Sequence, residues 1–112
     1  MTNPVFARIQ QQLSEHDVVL YMKGSKTMPQ CGFSALAAGI LERLGVNVLD
    51  VDVLRDAEIR QGIKEFSDWP TIPQLYIKGE FVGGSDIMRE MFESGELQEL
   101  LKSKGVVQSH AA

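Results

Sequence analysis

Apolar residues recur along this chain with two different periods, and the switches between them mark out its elements. Phe6, Ile9 and Leu13 follow an i, i+3, i+7 spacing behind Pro4, which predicts an amphipathic helix at the start. VVLYMKG, residues 18–24, is a β-branched and aromatic run stopped by Gly24 and predicts a buried strand. The polar stretch SKTMPQ follows as a loop. From Cys31 onward, Leu36, Ile40, Leu41 and Leu44 mark a second helix, with Gly45 as its C-cap. Residues 46–53, VNVLDVDV, alternate with period two and predict a second strand. Helix, strand, helix, strand suits a right-handed crossover between parallel neighbours.

DAEIRQGIKEFSDW predicts a third helix, with Asp56 as N-cap and Ile59, Ile63 and Phe66 on the core face. Pro70 and Pro73 in WPTIP cannot continue it. QLYIKGEFVGG reads as a β-hairpin turning around Lys78-Gly79-Glu80. SDIMREMFESGELQELLKSKG supplies one or two closing helices interrupted near Gly95, with Ile87, Met91, Leu97, Leu100 and Leu101 as apolar faces. The expected class is α/β, a single domain over 1–106 with a small four-stranded mixed sheet flanked by helices. Residues 107–112 carry no periodic signal and are expected to fray.

Composition narrows this picture further. At 112 residues the chain can bury a core without staples, and its one cysteine rules out an internal disulfide. The formal net charge of −4 argues against nucleic acid or an anionic membrane as partner. No stretch approaches the ~18 consecutive apolar residues of a membrane span, and MTNPVFARIQQQLSEHD lacks the apolar run of a signal peptide. The expected setting is a reducing cytoplasm, bacterial cytosol first, with an organelle matrix the alternative for a processed form.

Candidate chemistry centres on Cys31, placed between a loop and a predicted helix N-terminus. Unpaired backbone N–H groups and the positive end of the helix dipole favour a thiolate there. Lys23, at the end of the preceding strand, is placed to approach the same point. The competing reading is a buried, inert cysteine behaving as a small hydrophobe. Arg60 and Lys64, spaced i, i+4, emerge on one helix face, which by itself reads equally as a solvated charge face. Ser85 or Asp86 can cap the helix that begins after Gly83-Gly84, or that helix start can receive a carboxylate while Asp86 holds an ammonium.

Cys31-Gly32-Phe33-Ser34 resembles the CGFS motif of the monothiol glutaredoxins. Lys23-Gly24, Pro29, Trp69-Pro70-Thr71-Ile72-Pro73-Gln74 and Gly83-Gly84-Ser85-Asp86 fall in the order and near the spacing of that family. The resemblance runs over roughly residues 5 to 104. It implies a thioredoxin-like fold in its glutaredoxin form and a site for glutathione. By resemblance, Lys23 and Arg60 meet the glycine carboxylate of glutathione, with Lys64 adding long-range attraction. Ile72, before a cis-proline at Pro73, pairs its backbone with the cysteinyl unit, while Ser85 and Asp86 hold the γ-glutamyl end. Trp69 is expected to pack rather than bind. Ser85 departs from the many relatives with a second cysteine there, and Ser34 leaves no resolving thiol beside Cys31.

Two functions follow from the resemblance. In one, Cys31 is both the reactive thiol and a ligand of a 2Fe-2S cluster. Such a cluster generally takes four thiolates. One thiolate per chain plus one from glutathione, doubled in a homodimer, reaches that number. The chain would then act in iron–sulfur cluster assembly, transfer and iron homeostasis, serving apo-protein clients and pairing also with BolA-like proteins. In the other, Cys31 is the sole nucleophile of a weak glutathione-dependent oxidoreductase that removes glutathione from protein disulfides. The extended loop Ser25 to Gln30 fits the cluster-binding branch of the family. His16 and His110 gain no support as ligands from their positions, before the first strand and in the tail.

Overall fold

The computed structural model describes residues 3–109. Its elements run α1 (Pro4–Glu15), β1 (Val18–Met22), α2 (Gly32–Leu44), β2 (Leu49–Asp52), a 3-10 turn (Val53–Arg55) and α3 (Ala57–Ser67). Then follow β3 (Gln74–Ile77), β4 (Glu80–Gly83), α4 (Ser85–Ser94) and α5 (Glu96–Ser103). The four strands form one mixed sheet in the order β2-β1-β3-β4. β1 runs parallel to β2 and antiparallel to β3, and β3–β4 is the expected hairpin. Its turn is shorter than expected: Lys78 and Gly79 both take positive φ, 51° and 79°, and Glu80 already belongs to β4. Positive φ at both central residues matches the twist of a two-residue hairpin. The register shifts between Leu75 and Tyr76.

The unbroken apolar run of β1 is explained by burial on both sides of the sheet. Val18, Leu20 and Met22 face a layer of α2, α4 and α5, joined there by Leu75 and Ile77. Val19 and Tyr21 face α1 and α3, together with Tyr76. On α1 the buried residues are Val5, Ile9 and Leu13. Phe6 is only half-buried and meets the Phe66 ring edge-on at 5.4 Å between centroids.

β2 is shorter than the alternation over 46–53 predicts. It pairs with β1 only over 49–52, and the Asp52 carboxylate accepts from the Leu54 N–H at 3.0 Å, which turns the chain into the 3-10 segment. The last helices lie where the apolar pattern placed them, divided at Gly95. Beyond α5, Val106 is buried, and the Ser109 N–H donates to the Gly45 carbonyl at 3.1 Å. Of residues 107–112, where fraying is expected, those to Ser109 are described and include this contact; the rest lie outside the described residues. No helix among the described residues is long and apolar enough to cross a membrane.

Candidate functional site

β1 ends at Met22 and hands the chain to a tightly closed loop. The Gln30 N–H donates to the Lys23 carbonyl at 2.9 Å, and Ser25 and Met28 exchange backbone hydrogen bonds at 3.1 and 3.2 Å. Gly24 sits at φ +87°, where a Cβ would stand 2.5 Å from the Met28 carbonyl oxygen. Only glycine fits both the conformation and the space. Two carboxylates from β2 hold the loop: Asp52 accepts from the Gly24 N–H and Asp50 from the Lys26 N–H, each at 2.9 Å.

The loop delivers Cys31 to the N-cap of α2, where its extended backbone lets its carbonyl accept the first helical bond, from Ala35. The thiol is partly exposed and free. It makes no capping hydrogen bond of its own. Even so, the Ser34 backbone N–H holds its pKa below the ordinary thiol value. The Phe33 N–H, the Lys23 charge and the Ser34 hydroxyl act in the same sense, and partial burial opposes them. N–H groups outside hydrogen-bond reach of a neutral thiol still favour its anion. Ser34 itself is buried, and its hydroxyl accepts from the Lys23 N–H at 3.0 Å, tying the end of β1 to the first turn of α2.

Beside the thiol lies an open cleft of about 430 Å³ whose lining includes Lys23, Arg60, Lys64, Ile72, Ser85 and Asp86. Cys31 is not among the lining residues, but Phe33 and Lys23, whose N–H and charge act on the thiol, are, so the thiol stands next to the cleft. Larger hollows at the C-terminal end of α2 and between α2 and α4 gather no comparable set of residues. Chemistry, not volume, selects the site. Among the described residues, Lys23, Arg60 and Lys64 make no ion pair, so three cations line one cleft of an acidic chain. Asp56 fixes the start of α3 that carries two of them. Its carboxylate accepts from the Ile59 N–H at 3.1 Å and pairs with Arg8, which holds its pKa low.

The far wall is the Trp69–Pro73 loop and the start of α4. The Ile72–Pro73 peptide bond is cis, as the resemblance implied. Ile72 is nearly buried, and its N–H and C=O have no backbone partner among the described residues. Trp69 stacks at a tilt on Phe81, with centroids 5.9 Å apart, but remains 41% exposed and lines the cleft. Packing therefore accounts for only one face of the indole.

Neither capping alternative at α4 holds. Gly84 is the N-cap, no side chain caps the helix, Ser85 is buried and Asp86 is exposed, 3.9 Å from Arg89. The first N–H groups of α4 are thus left for another acceptor. His16 is exposed beyond α1 and does not line the cleft, and His110 lies outside the described residues. Sequence reasoning missed Asp50 and Asp52 as anchors of the cysteine loop. A faint signal existed, two carboxylates alternating in an otherwise apolar strand.

Known proteins resemble this chain over most of its length. The glutaredoxin family model matches residues 18–82. The chain is 60% identical over 96 residues to an uncharacterized monothiol glutaredoxin ycf64-like protein of Synechocystis, covering 86% of this chain and 90% of that one. It is 52% identical over 103 residues to a probable monothiol glutaredoxin 2 of Rickettsia conorii, covering 92% and 96%. Among solved structures it is similar to a monomeric truncated mutant of Trypanosoma brucei 1-C-Grx1, with a TM-score of 0.86 and 43% identity over 92% of this chain and 94% of that one. A thioredoxin-like sheet, one partly exposed thiol at a helix start and these relatives together place the chain in the glutaredoxin family, among its monothiol members.

Proposed function

We propose that this chain binds glutathione in the cleft beside Cys31 and, as a pair of copies, carries a 2Fe-2S cluster as cargo for iron–sulfur assembly and iron homeostasis. The observation that carries the reading is one activated thiol next to a cleft lined by three unpaired cations. Lys23 and Arg60 suit the glycine carboxylate of glutathione, with Lys64 adding attraction. The free N–H groups opening α4 suit the γ-glutamyl carboxylate, and Asp86 suits its ammonium. The unpartnered Ile72 backbone suits the cysteinyl unit, as an added strand would. That arrangement brings the glutathione thiol toward Cys31.

The donor set fits the cluster only in this shared form. No group of three or more His, Cys, Asp or Glu side chains able to hold a metal occurs among the described residues. One chain offers Cys31 alone; glutathione and a second copy supply the rest, and a BolA-like partner would replace part of that second half with its own ligand. Apo-proteins lacking their clusters are the clients this reading requires. When bound, the cluster supplies transferable iron and sulfide, and the task of this chain is to hold the glutathione and present the thiolate.

The lowered pKa of the partly exposed Cys31 thiol also favours a second reading, a glutathione-dependent oxidoreductase. In it the Cys31 thiolate attacks the glutathionyl sulfur of a mixed disulfide and releases the protein thiolate. A second glutathione thiolate then attacks, leaving as glutathione disulfide and restoring Cys31. Anaerobic reconstitution with iron, sulfide and glutathione separates the two. The carrier reading expects a visible chromophore on a dimer, lost in Cys31→Ser or without glutathione and weakened in Arg60→Ala. A colourless monomer that briskly reduces glutathionylated substrates would sink it in favour of the second reading.

A further inference from the structure

Gln74 opens β3 and is fully buried, a costly place for an amide unless each polar atom is matched. Each one is. Its Nε2 donates to the Trp69 carbonyl at 3.0 Å and the Thr71 carbonyl at 3.1 Å. Its Oε1 accepts from the Tyr76 hydroxyl at 3.2 Å. The orientation is forced, because carbonyls only accept and the amide nitrogen must face them. The two carbonyls bracket Pro70 in the loop that forms the far wall of the cleft. Ser67 holds the same loop from the side of α3: its hydroxyl accepts from the Trp69 N–H at 3.1 Å and donates to the Ile63 carbonyl at 2.9 Å. The side chain of Gln74 does not line the cleft; the backbone it holds does.

We propose that Gln74 is a positioning residue for glutathione, holding the Trp69–Pro73 loop in the shape in which Ile72 offers its N–H and C=O to the cysteinyl unit. This rests on the glutathione-binding reading above. Without the amide, two carbonyls lose their donor beneath the loop, and the loop relaxes before any ligand arrives. Ordering it again on binding lowers affinity. The Cys31 loop, held separately by Asp50 and Asp52, keeps its thiol chemistry.

Three proteins are compared: wild type, Gln74→Met and Tyr76→Phe. Tyr76→Phe leaves Oε1 unmatched but keeps both loop carbonyls satisfied, so it reports the cost of a disturbed core alone. Titration with glutathione is expected to show binding weakened roughly tenfold in Gln74→Met and unchanged in Tyr76→Phe, with the Cys31 alkylation rate at the wild-type level in all three. Equal affinity in wild type and Gln74→Met overturns the proposal, as does an equal loss in Tyr76→Phe. If wild type itself binds no glutathione, the proposed function fails instead. Loop order then decides the role of Gln74, with faster exchange of the Trp69 amide, which is hydrogen-bonded to Ser67 and Lys64, in Gln74→Met supporting it and unchanged exchange overturning it. Should Gln74→Met not fold, the Gln74 side-chain amide protons of wild type answer the question. Slow exchange with water that glutathione slows further supports the role; exchange indifferent to glutathione overturns it.

Discussion

Two loops meet at the cleft, and they are held in opposite ways. The cysteine loop turns N–H groups outward to the sheet edge, and the carboxylates of Asp50 and Asp52 accept them. The Trp69–Pro73 loop turns carbonyls inward, and the neutral amide of Gln74 donates to them. The choice follows burial. At the half-exposed edge strand β2 a carboxylate keeps much of its hydration and makes a strong charge-assisted bond. Under the far loop there is no solvent, and an ammonium or guanidinium there would need a buried counter-charge. An amide supplies the donors without one.

The sharpest way to break the contrast is Gly24→Ala. The new Cβ meets the Met28 carbonyl and the Gln30 nitrogen at a φ that alanine resists, so the cysteine loop must open. The expected loss of stability is roughly 2–4 kcal/mol, read by chemical denaturation, while exchange of the hydrogen-bonded Trp69 amide stays at the wild-type level. Faster exchange in both loops would show that they are one unit.

A smaller effect is expected from Asp52→Ala, which deprives the Gly24 and Leu54 N–H groups of their acceptor at a cost of about 1–2 kcal/mol. Asp52→Asn keeps an acceptor oxygen and should recover most of that stability and the slow exchange of the Gly24 amide. If asparagine fails as alanine does, the charge itself, and not the hydrogen bond, holds the loop.

The smallest effect concerns the thiol. A thiol with lowered pKa is ionised at lower pH, so the alkylation rate of Cys31 should rise with a midpoint below the ordinary value of 9.0. Lys23→Ala removes one contributor to the lowering and should move that midpoint upward, modestly, because the Ser34 N–H is the larger cause. An unmoved midpoint would leave the helix start as the only source of the activation.

Much of this architecture is legible in the sequence because burial is periodic. The run at 18–22 reads as a buried strand, and Asp56 and Gly45 mark helix ends by chemistry that acts within a few residues. The site residues are legible through motifs whose spacing survives as a pattern. The supports are not. Asp50 meets a donor 24 residues away and Asp52 one 28 residues away. A glutamine heading a strand reads as a solvent-facing residue. Only the loop that folds over Gln74 turns it into a buried donor, and no local pattern announces that loop. Trp69 divides between packing and the cleft for the same reason, since the face it packs is set by Phe81 on β4, beyond the reach of any local pattern.

The displaced register between Leu75 and Tyr76 reaches beyond the site. β4 is a four-residue strip on the rim of the sheet, with Glu80 engaged by Lys104 at 3.0 Å and Phe81 leaning on Trp69. An incoming strand would find few matched N–H and C=O groups and a charge in its way. The sheet is thereby closed to growth from that side, a property that matters when many copies are crowded together and have to stay dispersed.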